Sequence, residues 1–372
     1  MTEEQKQGLM TEEQKQGLMT EEQKQVFDEI MRAVSSKMRG FFFLHGFGGT
    51  GKTFIWKALT ATVRGKGGII LNVASSGIAA TLRPSGRTAH SRFCIPIDVN
   101  EDSICSITHN SPTAKLIQAS NLIIWDEAPM IKRHCVEAFD RMLRDLIKSN
   151  CIFGGKCVVM GGDFRQILPV IPKSGRPEIV DATINASHLW KECKLLRLTK
   201  NMRLRSSTDP VEQEKIKKII DWLLQVGDGE IGLPHDGFAN ISIPNELLLN
   251  DNSDLIKSIV HSTYPNLIEN VVDVDYLNNR TILTPLTKNI DVMNEYICSL
   301  LPSNTVEYFS ANFISRTDQE TESLEDLYDT EYLNAIKCSG IPHHKLVLKV
   351  GVPIMLIRNI DQAAGLYNGT RL

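Results

Sequence analysis

The chain predicts an α/β fold built on a doubly wound parallel sheet, and three observations carry that prediction. Short, strongly apolar runs recur from residue 41 onward, segments of crossover-helix length separate them, and a glycine-rich turn joins the first run to the first such segment. The runs are FFFLH, GGIILNVA, NLIIWDE, GGKCVVMGGD and LLRLT. Uninterrupted apolar runs of this length are the pattern of parallel strands buried on both faces. Residues 53–63 and 136–149 have the length of the helices that connect such strands.

Upstream of the first run, MTEEQKQGL occurs at 1 and at 10, and MTEEQKQ returns at 19 and continues into VFDEIMRAV. Only the third copy places apolar residues, Val26, Ile30 and Val34, at helical spacing, so it is expected to join the fold. Residues 1–18 are expected to be a flexible, repeat-bearing extension. Residues 19–202 form the first α/β domain on this reading. Within it, 94–115 is rich in Pro, Asn and Ser, lacks a helical stripe, and reads as a small inserted loop or hairpin. The polar stretch RLRSSTDPVEQEK marks a boundary, and 203–372 form a second α/β region opened by the helix IKKIIDWLLQVGDG. In that region TILTPLTKN and LVLKVGVPIMLIRN resemble strands, and the acidic segment from VEYF to EYLN reads as surface loops and helix.

Composition narrows the function classes. No window approaches the 18 consecutive apolar residues of a membrane span, and the acidic, polar start is unlike a secretory signal. The eight cysteines form no C-x-x-C pair, and Cys151 and Cys157 are separated by five residues with no nearby histidine, so they read as reduced thiols rather than a zinc site. A net charge of -3 supplies no global field for nucleic acid; any such contact must come from a local basic groove. One local cluster exists, Arg83, Arg87 and Arg92.

The glycine-rich turn is GFGGTGKT, residues 46–53, which matches G-x-x-x-x-G-K-[ST] between a strand and a helix. Gly46, Gly48, Gly49, Thr50 and Gly51 would turn backbone N–H groups toward phosphate oxygens, while Lys52 reaches the outer phosphates and the Thr53 hydroxyl ligates magnesium. This P-loop therefore predicts a nucleoside triphosphate and Mg2+ as cofactors. The run NLIIW ends in Asp126 and Glu127, at the strand edge where ligands of such sheets sit. Asp126 is the second candidate metal residue, and Glu127 is placed to orient or deprotonate an attacking water. A third strand leads into GGDFRQ, whose Gln166 would lie at the same edge and could sense the γ-phosphate.

Taken in order, GFGGTGKT, ASSGIAATLRPSGRTAHSRF, IIWDEAPM, GGDFRQILPV and LTKNMRL resemble the Pif (petite integration frequency) family of superfamily-one DNA helicases. TILTPLTKNIDVMNEYICSLLP and LKVGVPIMLIRNIDQAAGLYNGTRL are similar to the Helitron-transposon members. The resemblance spans residues 19–372. It implies a P-loop NTPase with a RecA-like sheet, ATP hydrolysis, 5′-to-3′ translocation on single-stranded DNA, unwinding of forked duplex DNA, and work in repair, recombination and, for some members, telomere maintenance. It implies that Gln23 recognises adenine, and that Ser75, Ser76, Gly77, Thr88 and His90 lie along the strand. It also implies that Gln166 couples the γ-phosphate to DNA contacts and that Arg203 reaches the γ-phosphate from the second motor domain. Residues 94–115 would be the wedge at the fork, and the nucleus would be the compartment, although no dense basic run supports import.

Two family motifs, a His-Lys-Ser-Gln-Gly-like segment and a Ser-Arg pair, are not found. The second RecA-like domain is therefore expected to be incomplete, with its small β-barrel insertion lacking. Two other readings follow from the residues: a transposon relic that binds ATP and single-stranded DNA without turnover, and a P-loop small-molecule kinase. The kinase reading accounts for Lys52 but not for Asp126 and Glu127 with Gln166.

Overall fold

A computed structural model of the chain describes residues 19–36, 40–205, 209–232, 234–235, 238–249, 254–312, 330–336, 343–358, 360, 366 and 370–372. The extension over 1–18 lies outside the described residues. Contacts divide the chain into two units, Met1–Ile241 and Ser242–Leu372.

Among the described residues the first unit opens with α1 (Glu21–Ser35), and its start is dictated by Thr-Glu-Glu-Gln. The Thr20 hydroxyl accepts the Gln23 N–H at 3.3 Å and Gln23 Oε1 accepts the Thr20 N–H at 3.0 Å, a reciprocal cap that satisfies two otherwise orphan donors. One face of α1 buries Val26, Phe27, Ile30 and Met31. There follow β1 (Gly40–Gly46), α2 (Lys52–Gly65), β2 (Ile70–Ala74), α3 (Gly77–Thr81), β3 (Arg87–Thr88), α4 (Ala89–Phe93), α5 (Pro112–Ala119) and β4 (Leu122–Asp126). Then come α6 (Arg133–Ile147), β5 (Cys157–Gly162), α7 (Arg176–Asp181), β6 (Lys194–Leu198), α8 (Pro210–Asp228) and the two-residue strands β7 (Pro234–His235) and β8 (Phe238–Ala239).

Strands β1 to β6 make one sheet in the order β3-β2-β4-β5-β1-β6, with every pairing parallel. Alternate strand residues feed two cores. Phe41, Phe43, Val73, Trp125 and Met160 pack with Val136, Phe139 and Leu143 of α6 on one face. Phe42, Leu44, Ile124 and Val159 pack with Ile30 of α1 and with Ile55 and Leu59 of α2 on the other. Both faces are covered, which is why these strands read as unbroken apolar runs. The chain leaves β1 for β2, returns through β4 and β5, and then crosses to β6 on the far side of β1. The C-terminal ends of β1, β4 and β5 thus share one edge beside the point where the order reverses, the place where such sheets bind ligands.

The structure departs from the sequence reading at several elements. LLRLT is a strand but not a buried one: β6 is last in the sheet order, and Lys194, Leu195 and Arg197 are exposed. Residues 94–115 contain no strand, and their last four residues belong to α5, started by Ser111 at the cap and Pro112 at the first helical position. Helix α8 falls in the first unit, held by Asp228, whose two oxygens accept from Arg165 Nε at 2.6 Å and Nη2 at 3.0 Å.

The described residues of the second unit hold α9 (Leu255–Thr263), α10 (Leu267–Asn270), α11 (Val274–Asn278), α12 (Thr287–Leu300), β9 (Thr305–Phe309), α13 (Thr330–Ala335) and β10 (Lys345–Lys349). TILTPLTKN is not a strand; residues 281–286 are irregular and α12 begins at Thr287. Pro285 has no N–H to give a ladder, and Leu283 is exposed, so no face is buried there. β10 does form within LVLKVGVPIMLIRN, but it pairs antiparallel with β9, whose TVEYF lies in the segment read as loop and helix. The described core of this unit is small, centred on Leu267, Tyr276 and Leu301. Among the described residues no helix is long and apolar enough to cross a membrane.

Candidate active site

The phosphate-loop sequence connects β1 to α2. Gly51 caps α2 at φ 86° and ψ 22°, a left-handed conformation that costs a side-chain-bearing residue roughly 1–2 kcal/mol. A Cβ at Gly51 would also run into Gln23 Nε2. That amide donates to the Thr50 carbonyl at 3.0 Å while its oxygen completes the cap of α1, so Gln23, 2% exposed, ties the start of the fold to the loop. The Thr50 hydroxyl donates to the Phe47 carbonyl at 2.9 Å. Gly46 is buried, Gly48 is exposed, and the Lys52 ammonium folds back onto the Gly46 carbonyl. Thr53 is exposed at the first turn of α2.

Asp126 and Glu127 end β4 beside the loop. Asp126 is 4% exposed; its Oδ1 accepts Trp56 Nε1–H at 3.1 Å, and its Oδ2 accepts from Arg83 Nη2. Trp56 comes from the second turn of α2, so one indole links the two halves of the site. It lies over Gly161 of β5, where a Cβ would stand 2.6 Å from the ring. Glu127 leaves the strand at φ 52° and keeps Oε2 buried without a partner. Burial, and then the Asp126 charge, push the Glu127 carboxyl above its usual range. Burial pulls Lys52 down, against the opposing pull of Glu127 and Asp126.

Thr53, Asp126 and Glu127 are hard oxygen donors of the kind magnesium takes, and the orphaned Oε2 is consistent with such a group beside it. Asp126, however, is already paired with a guanidinium.

Beyond β5, Asp163 is buried and its Oδ1 accepts the Arg165 N–H at 3.1 Å, while Gln166 is exposed in the same turn. Arg203 lies in the first unit, in the segment that follows β6, not across a domain boundary. The Met202 N–H donates to the Gly49 carbonyl at 2.8 Å, and a Cβ on Gly49 would stand 3.2 Å from Arg203 Cδ, so this segment rests on the loop. Sequence reasoning missed Trp56 and Arg83 as site residues. Helical spacing from Lys52 could have found Trp56; nothing in the sequence links Arg83 to a carboxylate 43 residues away.

The candidate strand-contact residues sit together at the ends of β2 and β3, which pair Ala74 with Thr88. The Ser75 hydroxyl accepts Trp125 Nε1–H at 3.0 Å, and its N–H donates to the Asp126 carbonyl at 3.1 Å. Ser76 caps α3 and Thr88 caps α4, with Gly77 as the first residue of α3. His90 is half-buried with Nε2 4.0 Å from Cys135 Sγ, and burial lowers its pKa. The Arg83, Arg87, Arg92 cluster is not one basic surface, because Arg83 is buried.

A family described as PIF1-like helicase matches residues 18–237, and one described as DNA helicase Pif1, 2B domain, matches residues 331–372. The chain therefore reaches into that inserted domain rather than stopping before it; β10 and the Met355–Arg371 bridge fall in the matched part. The ATP-dependent DNA helicase Pif1 of Psychrobacter sp. is 26% identical over 330 residues, 88% of this chain and 43% of that protein. The ATP-dependent DNA helicase PIF1 of Candida albicans is 26% identical over 340 residues, 88% and 32%. The chain thus spans less than half the length of these relatives. Among solved structures, Bacteroides Pif1 bound to ssDNA superposes with a TM-score of 0.61 at 22% identity, covering 95% of this chain and 68% of that one. The Candida albicans Pif1 helicase gives 0.59 at 22% identity, covering 95% and 68%. These likenesses establish the fold.

Proposed function

We propose, from the premise that this chain belongs to the PIF1-like helicase family, that it is the motor of an ATP-dependent 5′-to-3′ DNA helicase. The observation that carries the reading is the joining of the phosphate loop to Asp126 and Glu127 at one sheet edge through Trp56. The loop amides and Lys52 would hold the β- and γ-phosphates, and Gln23, seated against Gly51, would meet the adenine. Magnesium, when bound, would neutralise charge on the outer phosphates, with Thr53 and Asp126 as its protein-side donors. Glu127, partly buried and raised in pKa, would take the proton of the attacking water. Gln166 and Arg203 would complete the γ-phosphate side, which the contact of the Arg203 segment with Gly49 supports.

Single-stranded DNA would run past Ser75, Ser76, Gly77, Thr88 and His90. The Ser75 contacts with Trp125 and Asp126 give that strand a direct route to the catalytic edge. Residues 94–111 suit a wedge at a forked duplex. They are pinned to α6 by Arg141, which donates to the Ser103 carbonyl at 2.7 and 3.0 Å, while Ile97 is 94% exposed. Residues 242–372 would supply the second motor region together with the 2B part. DNA repair and recombination, and by extension telomere maintenance, are the processes this activity serves, with the nucleus as its compartment. Strand displacement tests the reading. Duplexes carrying a 5′ single-stranded tail should be unwound with ATP and those with a 3′ tail should not; equal unwinding of both, or the reverse polarity, would contradict it.

A further inference from the structure

Arg83 is a buried site group that the proposed chemistry does not use. It is 6% exposed, donates through Nη2 to Asp126 Oδ2, and stacks its guanidinium 5.9 Å from the Trp56 ring. Its Nε and Nη1 are buried without partners. A buried guanidinium satisfied at only one of its nitrogens depends almost wholly on the single carboxylate it faces. The backbone that carries it is fixed. The Arg83 N–H donates to the Ala80 carbonyl at 3.2 Å, Gly86 N–H donates back to Arg83 at 3.0 Å, and the Pro84 carbonyl accepts from Asn72 Nδ2 at 3.3 Å. A Cβ on Gly86 would run into the Ala80 carbonyl, so that turn packs closely against α3. Only the side chain is free to exchange partners.

We propose that Arg83 is a latch on the metal side of the site: in the nucleotide-free chain its guanidinium serves as an internal cation on Asp126, and a divalent metal gains that carboxylate only when Arg83 withdraws. The inference rests on the ATP and magnesium reading above and adds a competitor to it. With Oδ1 held by Trp56 and Oδ2 by Arg83, both oxygens of Asp126 are engaged. A dication brought to the same carboxylate would lie within a few ångströms of a fixed positive charge in a poorly solvated place, where like-charge repulsion is weakly screened. Phosphate binding, by contrast, is not opposed by Arg83, because its charge favours an anion. The latch therefore separates nucleotide affinity from metal affinity.

The test is a titration of Mn2+ into the protein with saturating ADP, following the loss of the free-ion paramagnetic resonance signal, for the native chain, Arg83→Leu and Arg83→Gln. The glutamine keeps an amide donor near Asp126 and stands in if the leucine variant fails to fold. Removing the charge should lower the Mn2+ half-saturation concentration by about tenfold or more, while ADP affinity without metal stays the same or falls by no more than about twofold. Equal Mn2+ affinity in the native chain and in a folded variant, or weaker affinity in the variant, would overturn the latch and leave the nucleotide reading standing. Failure of all three proteins to bind ADP, with or without Mn2+, would overturn both.

Discussion

Replacing Gly51 by alanine should unfold the first unit far more readily than the same change at Gly48. Gly51 sits at φ 86°, so an alanine there costs roughly 1–2 kcal/mol in backbone conformation. Its Cβ also meets Gln23 Nε2, which would have to leave the Thr50 carbonyl. Losing that buried hydrogen bond and loosening the cap of α1 adds about 1–2 kcal/mol. The sum is about 2–4 kcal/mol, against less than about 0.5 kcal/mol at Gly48, where a Cβ meets nothing within 4 Å. All four tryptophans, 56, 125, 190 and 222, lie before residue 241, so urea unfolding followed by tryptophan fluorescence reports on the first unit. The midpoint should fall by about 1 M or more for Gly51→Ala. A Gly51→Ala midpoint indistinguishable from that of Gly48→Ala would refute the claim that the loop and α1 are locked together through Gln23.

Other consequences follow from the same contacts. Phe139 is fully buried, 4.3 Å from the Phe93 ring and 5.5 Å from Trp125, so Phe139→Ala should cost about 3–5 kcal/mol in the same unfolding assay. Glu127→Gln should keep nucleotide binding and lower hydrolysis at least about a hundredfold, since it removes the base but no phosphate contact. The Glu127 carboxyl is held above its ordinary value of 4.5, and the ionised form is the active one. Hydrolysis should therefore be lost as pH falls through that raised value, with an acid limb above 4.5; a limb at or below 4.5 would assign it to another group.

Much of the motor sheet was legible in the sequence because its buried strands are almost wholly apolar on both faces, and β1, β4 and β5 end in glycine or carboxylate. β4 is the plainest case: Leu122 to Trp125 are fully buried, and the polarity change at Asp126 coincides with the sheet edge. The third repeat copy was legible from the helical spacing of Val26, Ile30 and Val34, whereas the reciprocal cap of Thr20 and Gln23 appears only in the structure. What could not be read depends on partners distant in sequence. LLRLT has the pattern of an interior strand and is an edge strand, because sheet order is decided by crossovers and not by composition. TILTP has strand-forming residues but, among the described residues, no strand partner, and a proline that cannot donate. Arg83 looked like one of three surface cations and is instead the buried counter-charge of Asp126, a pairing decided only when the turn after α3 folds over β4.

The central claim, that residues 46–53 and the ends of β4 and β5 form a DNA-coupled ATP site, is tested most directly by ATP hydrolysis with and without single-stranded DNA, for the native chain and for Lys52→Ala. The account predicts hydrolysis that rises when the single strand is added and that is abolished in Lys52→Ala under both conditions. Hydrolysis indifferent to DNA, or turnover that survives the loss of the Lys52 ammonium, would contradict it.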